Sequence, residues 1–366
     1  MHSPLACPDR GMNTSNAVRR EAAFTLVELL VSMSVLIVLL LLVTQVIGTV
    51  QSAWKQAHSK VSEFREARRA FDRLVNAVSQ ASLNNYLVYR YANNSDPLTP
   101  PSKTLNAQPS GYARFSELQF VCGRSSSTAD PTLTGLPEET SPGHAIFFQA
   151  PLGTTSDYRL PSSLNGCGFF VQFGSDAAYR PDFLTGLNQA DVHRYRLYEY
   201  RSPTERNRAY DADSNTSGKR WYEDFAQWSR PIANNVILLV ISPRRSEADN
   251  SGAGQATDIA PNYTYNTNPT TGVANAVQAA SDYQLPPMIG ITFIAIDEAS
   301  ADNLSYIHGG TAPLADVVGG GSLFTQANSY NQDMDKVIDA LVQRKINFRV
   351  FTATIPIRAS KWGQGT

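Results

Sequence analysis

Cysteine is scarce in this chain, three residues in 366, and no two of them form a CxxC pair. That spacing excludes a zinc ribbon or a thioredoxin-like redox motif. The five histidines, His2, His58, His144, His193 and His308, are scattered with no two at metal-ligand spacing, so neither a metal nor another cofactor is expected. GxSxG, HExxH and the phosphate-binding P-loop are missing as well, and with them the usual residues of nucleophilic, zinc and phosphoryl chemistry. No enzyme is expected. Asp297 and Glu298 are adjacent; on a strand they would face opposite sides of the sheet and could not act as one acid/base pair. They are expected to cap the turn into Ala299 and Ser300. Lys and Arg (31) balance Asp and Glu (32) without a basic run, so nucleic acid is not an expected partner. Proline is absent from Phe24 through Tyr91, which removes the commonest interruption of a long helix.

What is present begins with Ala22 to Val43, AAFTLVELLVSMSVLIVLLLLV, an apolar run holding one carboxylate, Glu28, behind a polar leader with Arg19 and Arg20. A charge at a bilayer centre costs about 3 kcal/mol on insertion scales, so an acid inside a spanning helix implies a function. Glu28 needs a cationic partner. The small residues Ala22 and Ala23 come before the apolar run, whereas a secretory signal has its cleavage site after it. A cut between Ala23 and Phe24 would keep the apolar segment and create a free amine four residues before Glu28, so the chain would supply its own cation. With Met1 as the start, the leader holds three arginines against Asp9 and Glu21, net +1, so its loss takes the formal charge from −1 to −2. Met12 is an alternative start. Cys7 lies in the leader, which leaves Cys122 and Cys167 as an even pair on the oxidising side of the membrane. They are read as one disulfide, with two buried free thiols as the alternative.

This order of basic leader, small residue, phenylalanine, fifth-residue glutamate and apolar run resembles the class III signal of type IV pilins and type II secretion pseudopilins. The resemblance implies that a prepilin peptidase cuts between Ala23 and Phe24 and methylates Phe24, and that Glu28 pairs with the Phe24 amine during assembly. It further implies a noncatalytic minor subunit, held single-pass in the inner membrane with its globular domain periplasmic or extracellular. Membrane lipid, sibling pilin subunits and an inner-membrane assembly platform would be its partners. The family usually has glycine before the cut, where this chain has Ala23. The alternative is a membrane-tethered domain that binds a glycan or protein, which would need neither Glu28 nor the cleavage order.

Residues 1–23 are thus read as leader, 24–50 as transmembrane or filament-core helix, and 51–90 as the amphipathic second half of the same helix. Trp54, Ala57, Val61, Phe64, Ala67, Phe71, Leu74, Val75 and Val78 recur at spacings of three and four, which marks one buried stripe. Residues 101–366 are read as a globular β-rich domain. Strands are expected at 115–122, 145–149, 168–173, 195–200, 235–241, 288–297 and 347–358, each rich in β-branched or aromatic residues, with a helix at 333–344. One long helix followed by a run of strands predicts an α+β, pilin-like fold with an antiparallel sheet on the helix. The polar stretch 245–282 is read as a flexible insertion and 201–219 as a second polar loop. The acids Glu205, Asp211 and Asp213 lack calcium-loop spacing. Trp362 is expected to pack on the last strand. The segments YRLYEYRSPTE from Tyr195, NNVILLVISPR from Asn234, LPPMIGITFIAIDEASA from Leu285 and RKINFRVFTATIPIRASKW from Arg344 resemble the Verru_Chthon cassette protein C family of pilin-signal proteins.

Overall fold

The computed structural model of the chain describes residues 25–91, 108–125, 136, 140–156, 160, 162–181, 183, 191–211, 220–246, 257–268, 282–308, 311–319 and 323–362. The chain divides into two units, one ending at His58 and one beginning at Ser59. Helix α1, Leu26–Ser79, runs through both.

Within the second unit, α1 buries Ala67, Ala70, Phe71, Leu74, Ala77 and Val78. These positions recur every three or four residues and so form a single face. Three of these six positions, Ala67, Ala70 and Ala77, are alanine, which brings the helix backbone close to the strands. The one large projection is Phe71, whose ring sits 5.1 Å from Phe293 and 5.8 Å from Phe351. Those two rings are cross-strand partners in the antiparallel ladder of β10 (Met288–Ile296) and β11 (Phe348–Pro356).

Strand β10 also pairs with β8 (Val236–Arg244), giving the sheet order β11-β10-β8. Phe293 faces α1, whereas its neighbour Thr292 bonds the hydroxyls of Tyr330 and Thr352 at 2.8 and 2.9 Å on the other face. Tyr330 opens helix α3, Tyr330–Gln343, whose Met334, Val337 and Leu341 are buried. The central strand is therefore covered on both sides, which explains its nearly continuous burial and a sequence that is apolar but for Thr292.

The larger sheet is antiparallel, in the order β7-β6-β5-β4-β3-β9. Its strands are β3 (Val121–Arg124), β4 (His144–Pro151), β5 (Leu164–Ser175), β6 (His193–Arg201), β7 (Ser229–Asn234) and β9 (Tyr265–Asn266). One face, with Ile146, Phe148, Phe169, Val171 and Leu197, joins the core that includes the α1 stripe. The opposite face carries Phe147, Phe170, Tyr198 and Tyr200, covered by Trp221 and Tyr222. Tyr222 stacks on Phe147 at 4.2 Å and 7°. A Cβ at Gly168 would collide with the Phe147 ring, and one at Gly166 would come within 2.8 Å of Trp221; these two glycines make room for the aromatic layer. A two-stranded sheet, β1 (Tyr86–Tyr91) with β2 (Pro109–Phe115), completes the strands.

The α+β class with antiparallel sheets is as the sequence implies, but several boundaries differ. The amphipathic helix read to residue 90 ends at Ser79, and β1 follows. Asn84 sets this change: its Oδ1 accepts from Ser116 Oγ at 2.8 Å and its amide donates to Glu117, contacts more than thirty residues away in sequence. The strand expected at 115–122 is two: it overlaps the end of β2 at Phe115 and the start of β3 at Val121 and Cys122, and 116–120 between them are not strand. Within 245–282, the described residues 257–268 are not a free loop. Ile259, Tyr263 and Tyr265 are buried, and β9 pairs with β3. Helix α2, Glu298–His308, stands where only a turn was expected. Asp297 begins it, its Oδ1 accepting the Ser300 amide at 3.0 Å. Glu298 instead bonds Arg194 and Asn235, so the two adjacent acids serve separate structural partners.

Candidate functional site at the amino-terminal helix

The first turn of α1 is closed by Thr25. Glu28 N donates to the Thr25 carbonyl at 3.0 Å and to its Oγ1 at 3.3 Å, which satisfies a helix donor that has no partner inside the helix. The Glu28 carboxylate is exposed in this turn, where the helix dipole favours a negative charge. From Leu26 to Gln51 the helix has a mean hydropathy of 2.9 and none of its most apolar window is buried; among the described residues it is the one helix long and apolar enough to cross a membrane.

Polar residues in this segment do not spoil it. Ser32 donates to the Glu28 carbonyl at 2.8 Å, Ser34 to Val31 at 2.7 Å, Thr44 to Leu40 at 2.7 Å and Thr49 to Gln45 at 2.9 Å. Each hydroxyl spends its proton on the helix's own backbone, the arrangement an apolar solvent requires. Glu28 is thereby the one charged side chain between Leu26 and Gln51. The residues on either side of the expected cut, Ala23 and Phe24, lie outside the described residues, as does Cys7.

The expected disulfide is not formed: no bond joins Cys122 and Cys167, and both are buried. Their strands, β3 and β5, flank β4, with Cys122 opposite Ile146 and Cys167 opposite Phe148. Two strand spacings separate them by about 9.5 Å, beyond the roughly 7 Å Cα limit for a bridge. Burial pushes the Cys167 thiol up to about 12, so it is a poor nucleophile. His144 is also structural. Its Nδ1 meets both the amide and the carbonyl of Ile241, at 2.9 and 3.1 Å, and its Nε2 faces the Phe324 carbonyl at 3.3 Å; the tautomer with the proton on Nε2 lets Nδ1 accept from the shorter contact while Nε2 donates to Phe324. Burial, with Arg124 adding to it, pushes its pKa from 6.5 down to about 4. Of the acids considered for calcium, Glu205 accepts the Ser156 amide and Asp211 pairs with Arg208 at 3.0 Å; Asp213 lies outside the described residues. Trp362 packs half-buried against the core.

Sequence reasoning missed the polar clamp on α1. Arg73 pairs with the buried Glu199 of β6 at 2.6 Å, and Arg201 holds the other Glu199 oxygen at 2.5 Å. Two turns earlier on nearly the same face, Glu66 accepts the Asn234 amide at 3.1 Å. In sequence these residues read as a solvated helix face. A glutamate in an otherwise apolar strand pattern, LYEYR, was the signal available.

Against known proteins, the family described as the prokaryotic N-terminal methylation motif matches residues 18–44. Curated proteins and solved structures yield no match. The matched span contains Ala23, Phe24 and Glu28 and most of the apolar helix. The chain thus carries a prepilin-type signal, of the kind processed by prepilin peptidase, followed by an apolar helix that fits a single-pass membrane anchor.

Proposed function

We propose that this chain is a noncatalytic minor subunit of a pilus or pseudopilus-like filament. Prepilin peptidase cuts between Ala23 and Phe24 and methylates the Phe24 amine. Residues 24–50 hold the precursor in the inner membrane, with the globular domain periplasmic or extracellular, until an assembly platform passes it to sibling subunits. The observation that carries this reading is a lone carboxylate, Glu28, exposed in the first turn of a wholly exposed apolar helix inside the matched methylation motif. In lipid or a filament core an unpaired carboxylate costs at least about 3 kcal/mol. A neighbouring subunit's Phe24 amine would compensate it, and only one axial offset brings the two charges together. The pair would therefore fix register as well as energy.

Two measurements test this. Mass spectrometry of the chain co-expressed with a prepilin peptidase is expected to show N-methyl-Phe24 as the mature terminus; a terminus beyond the apolar segment would refute the assignment. Glu28→Ala is expected to leave insertion and cleavage intact and to deplete the protein from sheared filaments. Wild-type incorporation of that variant would favour a tethered domain instead.

A further inference from the structure

On the outer side of the aromatic layer, a cavity of about 480 Å³ opens between the turns at 204–211 and the single helical turn Phe225–Trp228. Trp228, Gln227 and Asn207 line it together with three carboxylates, Glu205, Asp211 and Asp224, and two guanidiniums, Arg206 and Arg208. Its volume lies within the ~300–1,000 Å³ typical of small-ligand sites, and its lining combines two unlike features.

The first is a fixed aromatic surface. Trp228 is half-buried, packed on the cluster of Phe147, Phe170, Tyr200 and Trp221, and also lines the cavity. Its ring is thus braced from behind by a cluster of edge-to-face and stacked rings.

The second is a ring of oriented hydrogen-bonding groups. Tyr200, 1% exposed, donates its phenol proton outward to Asp224 Oδ1 at 3.0 Å. That bond fixes the carboxylate, and no described residue bonds Oδ2. Asn207 Oδ1 accepts the Ala209 amide at 3.1 Å, which sets the side-chain orientation and points its NH₂ donors elsewhere. Arg208 is held by Asp211 at 3.0 Å, while Gln227 and Arg206 reach the rim exposed.

The mixture decides the ligand class. Three carboxylates stand against two guanidiniums, and two of the acids are already engaged, Asp211 by Arg208 and Glu205 by the Ser156 amide, so neither an anion nor a cation is strongly favoured; among the described residues no three acids, histidines or cysteines are grouped so that they could hold a metal ion. A purely apolar ligand would strand these polar groups without partners. A pyranose meets both demands. Its C–H face is apolar and flat enough for an indole, and its hydroxyls each donate and accept, matching acids, amides and guanidiniums together. We infer that this cavity binds a neutral glycan of one or two pyranose units. The inference rests on the domain alone and holds whether or not the chain assembles into a filament.

The test uses the full chain in a zwitterionic detergent, so that no sugar headgroup competes, and titration calorimetry with cellobiose, maltose, N,N′-diacetylchitobiose, mannobiose and, as an anionic control, digalacturonate. At least one neutral disaccharide is expected to bind saturably. Trp228→Ala should weaken it by about tenfold or more, as loss of a central aromatic anchor does. Arg206→Ala, a change at an exposed residue that leaves the fold intact, should weaken the same sugar several-fold, and Tyr306→Ala on α2 should not change it. Absence of saturable binding by all four neutral sugars, unchanged affinity in Arg206→Ala, or preference for digalacturonate would each overturn the inference.

Discussion

His144 makes the stability of the domain depend on acid, by an amount that follows from its surroundings. The residue opens β4, accepts from Ile241 in β8 and faces the carbonyl of Phe324, so it joins the two sheets and the segment before α3. Burial holds its pKa at about 4, against 6.5 in the unfolded chain. Between these values the unfolded chain binds a proton that the native state refuses. Stability is therefore complete above pH 6.5 and falls as pH drops towards 4. The loss is about 2 kcal/mol at pH 5 and about 3 kcal/mol at pH 4, at 1.36 kcal/mol per pH unit of displacement. For a domain of this size, about 2 kcal/mol lowers the melting temperature by about 4 °C. Urea unfolding of the full chain in detergent at pH 7.5 and pH 5 measures the difference directly. His144→Gln keeps one donor and one acceptor but does not titrate. The variant is expected to lose less between the two pH values than the wild type by about 2 kcal/mol, while every other titrating group cancels in the comparison. Equal pH dependence in the two proteins would refute the reasoning.

Phe71→Ala removes the ring lodged between Phe293 and Phe351 and is expected to cost about 3–5 kcal/mol in urea unfolding, as for other large core truncations. Gly168→Ala drives a methyl into Phe147 and should destabilise by about 1–3 kcal/mol, with near-ultraviolet circular dichroism reporting a disturbed aromatic layer. A double-mutant cycle on Arg73→Ala and Glu199→Gln should give a coupling of about 1 kcal/mol, because the arginine end of the pair is half exposed to screening water. Thiol labelling of the mature chain, denatured without reductant, should find two free thiols, Cys122 and Cys167; none would restore the disulfide.

The features legible in the sequence were those whose cause is local. The apolar run, the position of Glu28 and the stripe at Ala67, Phe71, Leu74 and Val78 depend on spacing along one helix. The doubly covered strands β8 and β10 announce themselves through composition. What escaped was set by partners distant in the chain. The cysteine pairing rested on parity, but β4 inserts between the two strands. Tyr263 and Tyr265 sit in a polar stretch, and only the docking of that stretch beside β3 makes them core. Helix α2 has a weak apolar pattern and depends on its Asp297 cap, on Asn347 donating to the same carboxylate at 2.9 Å, and on Arg194 bonding Glu298. The lining of the glycan cavity joins turns near 207 to a helical turn near 228, a meeting that no local pattern encodes.

The stripe on α1 also has a mechanical meaning. The helix that carries the apolar segment continues into the core, where Phe71 is wedged between two strands and Arg73 and Glu66 are bonded to the larger sheet. These contacts all lie on the part of the helix within the second unit and point sideways from it, so a force along that part of the helix loads them together. Under tension they are loaded in parallel, as in a lap joint, and must slip together instead of peeling apart one by one. Resistance to such a load is set by the rate of that collective slip, an unfolding barrier, and not by equilibrium stability. Shear along the docked part of α1 is therefore expected to release these contacts in one step and not in sequence.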